Sequence, residues 1–139
     1  MRHLAVILLL LSAITAHAQV AVVNAKIPDA VDREHLRNLL LGRVSTWPDG
    51  SLVVLVLSSD PASRAAIEEL TGRDFDRLLR GWKRILFSGN GAMPVVATTA
   101  SEALELAATR PGVIAIVGVM PPADQRVRVA ISLEPSIRP

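Results

Sequence analysis

Leu52-Val53-Val54-Leu55-Val56-Leu57 runs straight into Ser58-Ser59-Asp60-Pro61. Six consecutive valine- and leucine-type residues describe a strand covered on both faces, since a strand with one wet face would alternate with polar residues. Asp60 followed by Pro61 then starts a helix. Aspartate accepts from the free N–H groups of the first turn, and proline at the first helical position has no N–H to leave unpaired. A doubly covered strand leading into a helix is the repeating unit of an α/β layer arrangement. The helix from Asp60 runs to about Leu70 and stops at Thr71-Gly72.

The same pattern recurs on either side. Upstream, Val20 to Val23 reads as a short buried strand, and Asp32 as an N-cap with Val31 and Leu36 placed as a hydrophobic staple. Leu36, Leu39 and Leu40 share one helix face, Gly42 closes it, and Trp47-Pro48-Asp49-Gly50 is a turn. Downstream, a helix opens at Asp74, and Phe75, Leu78, Leu79, Trp82, Ile85 and Leu86 form its core stripe up to Gly89. Ser88 to Pro94 is a loop, and Val95 to Ala97 is a short strand. Thr99 and Glu102 are spaced as a capping box for a helix to about Arg110. Val113 to Val117 and Val127 to Ile131 complete the strands, and the tail after Glu134 is left out of the core. The expected fold is a single-domain three-layer α/β/α sandwich with a mixed, mostly parallel sheet.

The first eighteen residues are of another kind. Met1-Arg2-His3 is a short basic start, Leu4 to Ile14 is an apolar run, and Ala16-His17-Ala18 is a small-x-small cleavage site. This is the pattern of a secretory signal peptide, and its apolar run falls short of the ~20 residues a membrane span requires. The expectation is a periplasmic or secreted protein, cut after Ala18, with no stable membrane insertion afterwards. Residues 19–139, about 121 of them, suffice for one core. Arg2 leaves with the leader, so the remaining chain is almost neutral, which gives no long-range attraction to nucleic acid. There is no cysteine, hence no disulfide, thiolate ligand or cysteine nucleophile, and there is no tyrosine.

Three motifs in order resemble the phosphate-type periplasmic substrate-binding proteins of ABC transporters, closest to short, single-lobe members of that superfamily. Asp32-Arg33-Glu34-His35-Leu36-Arg37-Asn38-Leu39-Leu40-Leu41-Gly42-Arg43 with Trp47-Pro48-Asp49-Gly50 is similar to the family's "FLGK/R…WxDG". Trp82 with Phe87-Ser88-Gly89-Asn90-Gly91 and Pro94 is similar to "W…FTGxG…P". Pro111-Gly112-Val113-Ile114-Ala115-Ile116-Val117 is similar to "PGAIGYV". The resemblance implies one lobe of a type II periplasmic binding protein, a role in ABC-transporter phosphate uptake or an offshoot of it, and a small oxyanion as ligand. With one lobe, a ligand meets an open surface or a cleft shared with another subunit.

The family's oxyanion loop, "RSDGSGT", corresponds to Ser58-Ser59-Asp60-Pro61-Ala62-Ser63-Arg64. Ser59 and Asp60 match. Ser58 stands for the leading arginine, Ala62 for the second serine and Arg64 for the threonine, while Pro61 removes a backbone donor. The oxyanion-binding set that the resemblance implies is therefore Ser58, Ser59, Asp60, Ser63 and Arg64, at a helix N-terminus that favours an anion. Two roles follow: a weak oxyanion binder, or a ligand-free accessory module for an ABC permease or a periplasmic sensor domain.

Other features have plainer readings. Gly89-Asn90-Gly91 follows a helix rather than a strand, which is the wrong context for a nucleotide loop. His35 is the sole histidine beyond the leader and lies in a helix first turn. There is no Gly-x-Ser-x-Gly, so neither an enzyme nor a catalytic residue is expected. No metal and no cofactor is expected, because ligands do not cluster. Trp47 and Trp82 read as anchors. Arg73, Arg77, Arg80 and Arg84 form a basic stripe, read as a solvated face or, alternatively, as a dock for an acidic partner. The mature N-terminus is expected at Gln19, and intact-mass measurement of the exported protein checks it.

Overall fold

A computed structural model of the chain describes residues 20–27, 31–89 and 93–132. The expected leader and its cleavage point, residues 90–92 of the loop and the tail after Glu134 lie outside the described residues. The elements are β1 (Val20–Asn24), α1 (Arg33–Leu40), β2 (Val54–Ser58), α2 (Pro61–Thr71), α3 (Phe75–Phe87), β3 (Val95–Ala97), α4 (Ala100–Thr109), β4 (Val113–Val117) and β5 (Val127–Ser132).

The helix starts follow from their caps. Asp32, Asp60, Asp74 and Thr99 are N-caps in extended backbone, and each side chain accepts from the N–H three residues on. In α4 the reciprocal half of the box is shifted by one residue: Glu102 accepts from the N–H and hydroxyl of Thr98, not from the capping Thr99. Gly72 closes α2 in the left-handed conformation, φ 71°, which glycine adopts without steric cost.

The five strands form one sheet in the order β3-β2-β4-β1-β5. β2 is parallel to β3 and β4, whereas β1 is antiparallel to β4 and β5. The sheet is thus evenly mixed, which corrects the expectation of a mostly parallel one. The reversal has a local cause. Ser45 to Val53 is a small hairpin, with Trp47 N–H donating to Ser51 O (2.8 Å), Val53 N–H to Ser45 O (2.9 Å) and a Thr46–Leu52 bridge. It turns the chain once more than a plain strand–helix–strand crossover, so β2 runs opposite to β1. The hairpin also corrects the start of β2: Leu52 is 71% exposed, outside the sheet.

Strand residues alternate between two cores. Ala21, Val23, Leu55, Leu57, Ile114 and Ile116 face α1, α2 and α3, with Leu36, Leu39, Ile67, Phe75, Leu78 and Trp82 packed on them. Val20, Val22, Val56, Val113, Ala115 and Val117 face α4, which contributes Ala103 and Ala107. The layers are α/β/α. Asn24 ties the end of β1 to α4: its buried amide donates to the carbonyls of Ala107 (3.0 Å) and Ala108 (3.3 Å), groups that a helix C-terminus leaves unpaired.

Within the α3 stripe, Phe75, Leu78 and Trp82 are buried and Leu79 and Ile85 partly so, but Leu86, in the last turn, is 43% exposed. Trp82 also donates its indole N–H to Leu40 O at 2.8 Å, pinning α3 to the end of α1. Trp82→Ala should cost about 3–5 kcal/mol through the cavity it leaves, whereas Asp76→Ala on the exposed face should change stability by under about 0.5 kcal/mol. Urea denaturation midpoints of the two variants check the contrast.

Candidate functional site

The stretch from Ser58 to Arg64 joins the end of β2 to the first turn of α2. Its position is set from both sides. Ser59 N–H donates to Ala97 O at 2.8 Å, which holds the loop against the end of β3. On the other side, Gly118 follows β4 and packs against the first turn of α2. A Cβ on Gly118 would lie 2.4 Å from the carbonyl carbon of Ala62, so only glycine allows this approach. The Gly118 N–H donates to Ser63 Oγ at 3.0 Å, and Ser63 is fully buried.

The structure brings Ser58, Asp60 and Ser63 together. Ser58, also fully buried, donates its hydroxyl to Asp60 Oδ1, and Ser63 N–H donates to Asp60 Oδ2 at 3.2 Å. The Asp60 carboxylate therefore sits on the donors of the α2 N-terminus. Partial burial pushes its pKa up, but the hydrogen bonds from Ser58 and Ser63 outweigh this and hold it below the ordinary aspartate value.

Arg64 and Ser59 are arranged differently. Arg64 Nε donates to Ser59 O at 2.9 Å, and its guanidinium carbon lies 4.5 Å from the centre of the Phe75 ring. The side chain is held between the loop backbone and the start of α3 by a hydrogen bond and a cation–π contact. Ser59 thus enters the loop's hydrogen bonding through its backbone N–H and carbonyl.

Elsewhere, His35 N–H donates to Asp32 Oδ1 at 2.7 Å, while its Nε2 is buried without a hydrogen-bond partner among the described residues. Trp47 is buried and donates to Gly112 O at 3.1 Å, so it anchors the hairpin to the start of β4. Among the described residues no group of three or more His, Cys, Asp or Glu side chains is placed to hold a metal ion, and no helix is long and apolar enough to cross a membrane. Gly118 was not singled out from the sequence. Its signal is a glycine directly after an apolar strand, which marks a close backbone approach only once the neighbour is known. No family model matches the chain, and no curated protein matches it.

Because the folded-state pKa of Asp60 is depressed, its stabilising contribution is full above the unfolded value and fades as pH falls through the folded one. Asp60→Ala should cost about 0.5–2 kcal/mol at neutral pH, as for other helix caps. The gap between variant and parent should narrow below about pH 4, where the unfolded carboxyl takes up a proton. Thermal melts of both proteins across that range check the sign.

Proposed function

We propose that this chain is an exported, non-enzymatic domain related to the phosphate-type periplasmic binding proteins. Its role is that of an accessory interaction module for a periplasmic transporter or sensor rather than a small-oxyanion receptor. The α/β class and the order of the motifs from Asp32 to Val117 support the relationship. One observation carries the choice of role: the Asp60 carboxylate already occupies donors at the α2 N-terminus that an oxyanion would need. An incoming phosphate would have to displace a carboxylate whose ionised form the loop stabilises, and would meet its charge at close range.

The rest of the loop supports the same reading. Pro61 brings no backbone N–H, the Ser63 hydroxyl accepts from Gly118, and Arg64 is engaged by Ser59 and Phe75. The features that resemble a phosphate cradle in sequence serve here to cap α2 and to lock it against the sheet.

Isothermal calorimetry of the purified protein with phosphate, sulfate and small carboxylates is the test. The expected result is no heat of binding up to millimolar concentration. Binding of any of these anions near about micromolar affinity, weakened about ten- to a hundredfold by Arg64→Ala, would overturn the accessory role in favour of an oxyanion receptor.

A further inference from the structure

α3 buries one face and leaves the other with an unusual charge. Arg77, Arg80 and Arg84 stand on its exposed side, and Arg73, just before the helix, folds back over it. These four side chains and Gly81 line a depression of about 300 Å³. None of the four forms a salt bridge with another described residue, in contrast to Arg126, which pairs with Glu105 and Asp124.

Gly81 gives the depression its floor. A mid-helix glycine is unfavourable relative to alanine, so its presence calls for a reason. Packing does not supply one: a Cβ at Gly81 would meet only Arg73 Nη1, at 3.9 Å. The missing side chain instead leaves a furrow between the arginines. Arg77 to Arg84 spans about 10 Å along the helix, close to three residues of an extended chain.

The furrow does not end at the arginines. Arg73 and Gly81 also border a dimple of about 60 Å³ with Trp82 and Ile85. Trp82 and Ile85 in turn border a mainly apolar groove of about 460 Å³ with Gly42, Leu52, Val53 and Met93. Gly42 admits this junction, since a Cβ there would lie 2.5 Å from Ile85 Cδ1. Leu52, 71% exposed, stands on the groove's rim.

We infer that the α3 arginine furrow and the adjoining apolar groove form one docking surface for a linear acidic segment of a partner protein that ends in bulky apolar side chains. The inference rests on the interaction-module reading above and names the partner's chemistry. Unpaired guanidinium groups in a row complement successive carboxylates, and the groove takes the apolar end. A concave, elongated site fits a chain better than a single small anion. An anionic bilayer fits less well, because Phe75, Leu78 and Trp82 are buried in the core and the exposed apolar side chains of α3, Leu86 and Phe87, stand at its last turn rather than along a full face.

The test is fluorescence anisotropy with a labelled peptide carrying a short glutamate–aspartate run followed by two leucines. The purified full chain should bind it at low salt and lose affinity as salt is raised. The double variant Arg77→Glu with Arg80→Glu should bind about tenfold or more weakly with an unchanged melting temperature. Gly81→Leu, which fills the furrow, should weaken binding while the melt stays equal or rises. Replacing the leucines by serines should also weaken it. No binding, binding indifferent to these variants, or binding to phosphatidylglycerol vesicles in place of the peptide would overturn the proposal. Phosphate titrated in parallel separates the two readings. A silent peptide with silent phosphate removes the furrow alone, whereas phosphate binding lost on Arg64→Ala removes the interaction-module role itself.

Discussion

Burial of β4 on both faces is the constraint from which the rest of the structure follows. All five of its residues are inaccessible to solvent, and none carries a polar side chain. Such a strand has to be central, flanked by hydrogen-bonded neighbours and covered by helices on both sides. β1 and β2 are those neighbours, α1 to α3 cover Ile114 and Ile116, and α4 covers Val113, Ala115 and Val117. The helix on the α4 side is built from alanines where it meets the sheet, so it can approach closely, while the other layer fills its volume with leucines, Phe75 and Trp82.

The end of β4 also governs the candidate loop. Where the strand finishes, Gly118 presses its backbone against Ala62 and donates to Ser63, so the first turn of α2 is clamped to the sheet. Asp60 completes the clamp by accepting from the Ser58 hydroxyl and the Ser63 N–H. The positive end of a helix is stabilised by an anionic partner. Here the chain supplies its own, one residue before the helix begins, and the same groups that would bind a ligand stabilise the fold.

α3 shows the complementary case, an element whose inner face is used up in the core and whose outer face has no partner within the described residues. Trp82 holds it to α1 through the Leu40 carbonyl, and Gly42 lets Ile85 pack beneath the turn that follows α1. Those two contacts give the helix a fixed height above the apolar groove. The arginine row on its outer face is thereby presented on a rigid support rather than on a flexible loop, which reduces the ordering cost of recognition.

Most of the elements were legible in the sequence because their signals are local. Asp32, Asp60, Asp74 and Thr99 cap helices through hydrogen bonds three residues away, and an apolar run such as Val113–Val117 is a buried strand whatever lies next to it. Strand direction and neighbours were not legible, since an apolar run reads the same in either direction. The hairpin at Ser45–Val53 reverses the chain once more between β1 and β2, so β1 runs antiparallel to β4. The same limit applied to the site. From the sequence, Ser58, Asp60 and Ser63 could be named as neighbours, but not what their donors and acceptors engage. Ser63 meets Gly118 across 55 positions of chain, and Arg64 meets the ring of Phe75 on the next helix. The elements and their caps were readable because they rest on contacts within a turn or two of chain. The sheet order and the partners of the loop emerge on folding, because they depend on groups brought together from distant parts of the chain.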